Sequence, residues 1–298
     1  MKTLKVQIHR TLKTIREYIV FYVIHIIPIV RNLFLSGERL NNISYGNNSN
    51  KCIIIGNGPS LKHDIIHIKE NIGVCDFFGV NHFCESSDFE EIKPTKYTLL
   101  DAYFWAEDAS DELKEKRLKM FTKLNSIDWR MKLFVPSFCN KGFINSIITN
   151  AYITVHFYKV IPVTKVDLSD SFMLCLFKNG KYGPAACNVL IYGLYLAMMS
   201  GYKEIDIYGA DLSFHNDVVV DQIDNTLKIK YKHFYGETEF VPLMKNPQKV
   251  EPFKMSELME LTFETFLAHD RLAVFAAVNS VVVRNKSSYS MIDSYLRQ

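Results

Sequence analysis

Apolar positions in this chain fall into short β-branched runs separated by stretches of helical spacing, and several runs end on a small or polar residue. Cys52–Ile55 is such a run, closed by Gly56-Asn57-Gly58-Pro59-Ser60, and Leu61 to Ile72 then shows helical spacing. Strand, glycine turn and helix in that order open a parallel α/β unit. Val74–Val80 predicts a second strand ending at Asn81-His82, Tyr97–Leu100 a third ending at Asp101, and Leu133–Val135 another. Asp108 to Ile127 is charged and periodic, a surface helix. Residues 141–182 are aromatic-rich and ambiguous, with a turn at Asn179-Gly180. Gly183-Pro184 opens a helix that runs through Ala185–Met199 to Gly201, apolar on nearly every side and therefore a core helix. Ile205–Tyr208 predicts a strand closed by Gly209-Ala210-Asp211. Residues 213–250 read as a long lid, with a short helix near Asp221–Lys232. Met255 to Asn279 predicts a long amphipathic helix and Val281–Val283 a last strand, followed by Asn285 to Ser288 and a short C-terminal helix.

Strands alternating with helices imply an α/β, Rossmann-like, doubly wound and mostly parallel sheet, whose ligands sit at the carboxyl ends of the strands. Those ends are Gly56–Ser60, Asn81-His82, Asp101, Gly209–Asp211 and Asn285. One such end is a turn; five together indicate a site.

The first 36 residues differ from the rest. Lys2, Lys5, Arg10, Lys13 and Arg16 face a single acid, Glu17, before the apolar run Tyr18–Val30. That run is about 13 residues, short of the ~20 that span a bilayer. Two readings are open: a basic amphipathic helix on an anionic membrane surface, or a helix packed on the protein's own core or in a dimer interface. Residues 37–50 read as a linker, leaving 51–298 as the main domain.

Composition narrows the classes. Hydrophobic residues make up 48% and charged residues 22%, so the chain can bury a core and is neither disordered nor fibrous. A net charge of +3, from 35 basic and 32 acidic residues, is too balanced for a dedicated nucleic-acid binder. Six cysteines without a C-x-x-C pair read as reduced thiols in a cytosolic compartment.

Three segments carry candidate chemistry. Small residues at Gly56–Ser60 let the backbone approach a phosphate at a helix N-terminus, but the segment is neither a Walker A loop nor a dinucleotide fingerprint. The alternative is a plain βα turn with Ser60 as cap. Asp211 is a carboxylate at a strand end, placed to bind or to cap. Lys228–Gly236 gathers lysines and aromatics around His233, the histidine best placed for proton transfer. His82 and His215 lie near strand ends as possible ligand contacts; His9, His25, His63, His67, His156 and His269 read as structural.

The combination I-I-I-G-N-G-P-S-L, F-F-G-V-N-H-F at 77–83, and G-Y-K-E-I-D-I-Y-G-A-D resembles bacterial sialyltransferases of glycosyltransferase family 42. It is also similar to the wider MptE-like group, which includes flagellin nonulosonate transferases and an archaeal 6-hydroxymethylpterin diphosphokinase. The resemblance covers roughly residues 51–290. It implies a Rossmann-like fold with a lid and a CMP-activated nonulosonic acid as donor. By position, it implies that Asn57, Gly58 and Ser60 meet the nucleotide phosphate and reacting sugar, and that Asn81 contacts the donor. His82 stands where the family has Gln, Asp101 where it has Asn, and Gly183-Pro184-Ala185 where it has Ser-Gly-Val on the cytosine side. Asp211 matches an acidic strand-end residue and His233 the family's general base. The family's two phosphate-binding tyrosines have no clear match: Ser213 occupies one position, with Tyr231 or Tyr235 as substitutes.

The resulting expectation is an inverting glycosyltransferase, cytoplasmic and peripheral at the inner face of the membrane, needing no metal or other cofactor. Its partners would be a CMP-sugar donor, an oligosaccharide or glycolipid acceptor of a bacterial surface glycan, an anionic membrane and a second copy of itself, but no nucleic acid. No D-x-D motif is present. The alternatives are a Mg²⁺- and ATP-dependent diphosphokinase with Asp217, Asp221 or Asp224 as extra carboxylates, and a non-catalytic polysaccharide-assembly protein.

Overall fold

The computed structural model describes residues 2–164, 168–233 and 236–297, with the backbone alone at 2–6, 8–10, 232–233 and 236–238. In chain order the elements are α1 (Lys2–Phe34), β1 (Lys51–Ile55), α2 (Leu61–Lys69), β2 (Asp76–Val80), α3 (Phe89–Ile92), β3 (Lys96–Thr98), α4 (Asp111–Asn125) and β4 (Met131–Pro136). Then come α5 (Lys141–Ile147), β5 (Ile153–Tyr158), β6 (Ile161–Val163), α6 (Asp170–Lys178), β7 (Tyr182–Pro184), α7 (Val189–Met199) and β8 (Glu204–Tyr208). The chain finishes with β9 (Val218–Val220), β10 (Leu227–His233), β11 (Gly236–Pro242), α8 (Met255–Val278) and β12 (Val282–Asn285).

Seven strands form one parallel sheet in the order β12-β8-β1-β2-β3-β4-β5. The chain moves outward from β1 to β5 and then returns to lay β8 on the other side of β1. The topological switch point is therefore between β1 and β8, where such sheets open a ligand crevice. Strand alternation feeds two cores. Cys52, Ile54, Phe78, Val80, Ile205 and Ile207 face α7 and α8, while Ile53, Ile55, Phe77, Leu133 and Val135 face the layer containing α2 and α4. The fold is α/β, doubly wound and Rossmann-like, as the sequence predicts.

Four boundaries differ from the sequence reading. Gly183-Pro184 lies in β7, which pairs with β6 in a small separate sheet, and not at the start of the core helix. The helix begins five residues after Pro184 because the Asn188 side chain accepts from Leu190 N at 2.7 Å and caps it. Residues 218–242 form an antiparallel sheet in the order β11-β10-β9, with no helix near Asp221–Lys232. The segment after Asn285 is not helical among the described residues; it returns to the end of β8 instead.

Helix α1 is longer than its apolar run, and its stretch Thr11–Phe34, 24 residues, is long and apolar enough to cross a membrane by length and composition. One stripe packs on the protein itself. Phe21 is fully buried against the rings of Phe172 and Tyr182. The Glu17 carboxylate accepts from Ser169 N and Oγ, both at 3.0 Å. His25 Nε2 accepts from Thr164 N at 3.2 Å, which leaves Nδ1 to donate to Phe21 O at 3.0 Å. The remaining circumference, including Ile19, Val23, Ile27 and Leu33, is exposed.

Candidate functional site

The turn after β1 and the end of β8 are built as one unit. Gly56 N donates to Tyr208 O and Gly58 N to Gly209 O, each at 2.8 Å. Gly209 adopts φ +64°, open to glycine at little cost. A Cβ on Gly58 would lie 2.0 Å from Asp211 Oδ2, so the carboxylate fills the space a side chain would need. Asp211 accepts from Ser60 N at 3.0 Å and from Ser60 Oγ at 2.6 Å. The anion position at the start of α2 thus already holds the Asp211 carboxylate, and Ser60 spends its hydroxyl there without capping α2. Burial raises the Asp211 carboxyl above its ordinary range, the Ser60 bonds pull it back, and the nearby Asp64 charge adds to the rise. The C-terminal segment braces the same unit: Ser290 Oγ donates to Ala210 O, and Met291 N to Asp211 O.

The ends of β2 and β3 make the second wall. Asn81 sits at φ +45°, and this turns its side chain toward β3. Its Nδ2 donates to Asp101 Oδ2 at 2.8 Å and its Oδ1 accepts from Leu100 N. Tyr97 Oη holds the bend by donating to Asn81 O at 2.7 Å. Asn57 reaches across from the glycine turn and donates to Val80 O at 3.0 Å, while its Oδ1 is buried without a hydrogen-bond partner. Asp101 is exposed at this edge. Desolvation by neighbouring protein raises its carboxyl, with the charges of His82 and Lys116 acting in the opposite sense.

His82 is buried and both ring nitrogens are engaged. Nδ1 meets Glu85 Oε2 at 3.0 Å and Nε2 meets the Tyr103 hydroxyl. The ring lies parallel to Tyr103 and tilted against Phe104. A cavity of about 310 Å³ opens beside Glu85, between Leu61, Lys62 and Ile65 of α2 and Ser86–Asp88.

The β9–β11 sheet packs on its own small core of Leu227, Ile229, Leu243 and Leu258. Tyr231 on β10 is half-buried; burial first and the charge of Asp101 second raise its phenol, which places the two groups within electrostatic reach. His233 ends β10, with its side chain outside the described residues, and Tyr235 lies outside them altogether. Ser213 is half-buried just before Phe214. His215 turns its ring toward Phe266 of α8. Gly183, Pro184 and Ala185 are buried, and a Cβ on Gly183 would strike Tyr195 and Val160. The loop from Ala185 to the Asn188 cap nevertheless reaches the carboxyl edge, because α7 runs antiparallel to the strands before entering β8. Asp221 and Asp224 both pair with Lys228, and among the described residues no three His, Cys, Asp or Glu side chains gather to hold a metal.

The structure therefore brings together Asn57, Asn81, His82, Asp101 and Tyr231, and turns Gly58, Ser60 and Asp211 inward on one another. Sequence reasoning missed Glu85 and Tyr103. Glu85 stands three residues after His82, a spacing that brings side chains together on one helical turn.

No protein-family model and no curated protein matches the chain. Among solved structures, the MAf glycosyltransferase from Magnetospirillum magneticum AMB-1 is similar with a TM-score of 0.45 and 15% identity, over 87% of this chain. The chain spans 36% of the length of that protein.

Proposed function

We propose that this chain is a glycosyltransferase that moves a nonulosonic acid from a CMP-sugar to a hydroxyl of an oligosaccharide or glycolipid, with inversion. The observation that carries the reading is the carboxyl edge of the sheet beside its β1/β8 switch point, where Asn81 holds Asp101 and Asp101 lies within electrostatic reach of Tyr231 of β10. The donor lies along the edge from the β1/β8 switch point toward β3. Asn57 Oδ1, buried and unpaired, accepts from a ligand N–H or O–H. Ser60 is committed to Asp211, so the phosphate is met from residues 213–250, by the Tyr231 hydroxyl and Ser213. Those groups stabilise the charge that develops on departing CMP, so the reaction is written without a metal. The sequence resemblance gives the general base to His233. The exposed apolar face of α1, with Lys13, Arg16 and Arg31 on the same helix, rests on an anionic inner membrane surface and keeps the site near a lipid-linked acceptor.

A thermal-shift series with CMP, CDP, UDP, GDP and ATP tests the donor class, because a nucleotide that binds the native state raises its melting temperature by mass action. CMP alone is expected to stabilise, and CMP release from a CMP-sugar is expected with it. Selective stabilisation by ATP with AMP release would replace this reading with the diphosphokinase.

A further inference from the structure

Three side chains at the end of β2 form a chain of hydrogen bonds that the donor-binding roles above do not use. A carboxylate only accepts, so in the neutral His82 ring the proton sits on Nδ1 and is donated to Glu85 Oε2 at 3.0 Å. Nε2 then offers its lone pair to the Tyr103 O–H. Glu85, His82 and Tyr103 are thus an orienting carboxylate, a proton acceptor and a hydroxyl in line, the logic by which a base is aimed at a weak nucleophile. The ring is fixed by Tyr103 and Phe104 and is 5% exposed, while Tyr103 is half-buried. Asp101 lies within electrostatic reach of His82. The cavity beside Glu85 gives water a way in.

We propose that Tyr103, backed by His82 and Glu85, takes the proton from the acceptor hydroxyl, the task that the resemblance assigns to His233. The inference rests on the glycosyltransferase reading. As the acceptor oxygen bonds to the anomeric carbon of the donor, its proton passes to Tyr103 Oη and the Tyr103 proton passes to His82 Nε2. The bond from the anomeric carbon to the phosphate oxygen breaks, and its electron pair leaves with CMP. Glu85 stabilises the imidazolium until water removes the extra proton. Tyr103 is the catalytic residue; His82 and Glu85 act through it.

The experiment compares wild-type protein, Tyr103→Phe, His82→Gln, Glu85→Gln and His233→Ala on a CMP-sugar, first with a hydroxyl acceptor and then with azide. Azide is a nucleophile with no proton to give up. Tyr103→Phe and His82→Gln are expected to lose ~10²–10⁴-fold in kcat with the hydroxyl acceptor, the range for removing a general base. Donor KM should stay within about twofold, since uniform binding is untouched. Azide is expected to restore CMP release in both, as glycosyl azide, and in Glu85→Gln, where a partly exposed group is replaced by its isostere and the fold is kept. Rescue of His233→Ala but not of Tyr103→Phe would overturn the relay, as would wild-type kcat in Tyr103→Phe. A kcat loss that azide does not restore, in variants that melt normally and bind CMP, would make the three residues scaffold. Wild-type protein that releases no CMP from any CMP-sugar would instead overturn the glycosyltransferase reading, and the relay with it.

Discussion

Gly58 carries the sharpest constraint at the residue scale. Its missing Cβ is the space occupied by Asp211 Oδ2, with Gly209 O only 2.7 Å away. Gly58→Ala must displace the carboxylate from Ser60 and is expected to destabilise by about 2–4 kcal/mol, the range of overpacking plus a broken buried network. Chemical denaturation measures it. In an Asp211→Ala background the added cost should shrink without vanishing, because Gly209 O remains in place; full additivity would show that the two residues do not interact. The sequence displays the glycine as a turn residue. It does not display why glycine is required, because the colliding group lies in the turn after β8, 153 positions later in the chain.

At the scale of elements, α1 has two faces with separable consequences. Phe21→Ala opens a cavity against Phe172 and Tyr182 and is expected to cost about 3–5 kcal/mol. Replacing the exposed Ile19, Val23 and Ile27 by Ser removes no internal contact of that kind, so stability should move by about 0.5 kcal/mol or less at each position. The same triple variant is expected to lose binding to anionic vesicles in a flotation assay. Retained flotation would remove the membrane role from this face. The packing reading of the segment describes one stripe of the helix, and the membrane reading rests on the other, which faces solvent. The β9–β11 sheet shows a legible signal that composition obscured. Leu227, Lys228, Ile229, Lys230, Tyr231 and Lys232 alternate apolar and basic with a period of two, and Leu227 and Ile229 are the buried members. Asn225, at φ +57°, lies in the turn that leads into β10.

For the whole molecule, His269 sets a pH dependence of stability. Its ring is fully buried in α8 with Nδ1 against Tyr295 Oη at 2.9 Å, and burial lowers its pKa to about 3. The unfolded chain binds a proton there near pH 6.5 and the native chain does not, so the stabilisation is complete above pH 6.5 and is lost as pH falls toward 3. The loss should reach about 2 kcal/mol by pH 5, above the range where most carboxylates titrate. Melting curves from pH 7 to 5 are expected to show this slope in the wild-type protein and to flatten in His269→Gln. A slope unchanged in the variant would assign it to another group.

The parallel sheet, its two apolar faces and the polar strand ends were readable from residue order alone. Short continuous apolar runs feeding helical spacing leave a chain few ways to bury its apolar surface. The strand order, with β8 returning to β1, was not readable, because pairing across a crossover leaves no local mark. Nor did local pattern separate binding from bracing. Ser60 and Asp211 satisfy one another, whereas Asn57 Oδ1 is left open and Glu85, His82 and Tyr103 fall into line. Those outcomes depend on which buried polar groups meet across the fold, and only the tertiary structure fixes that.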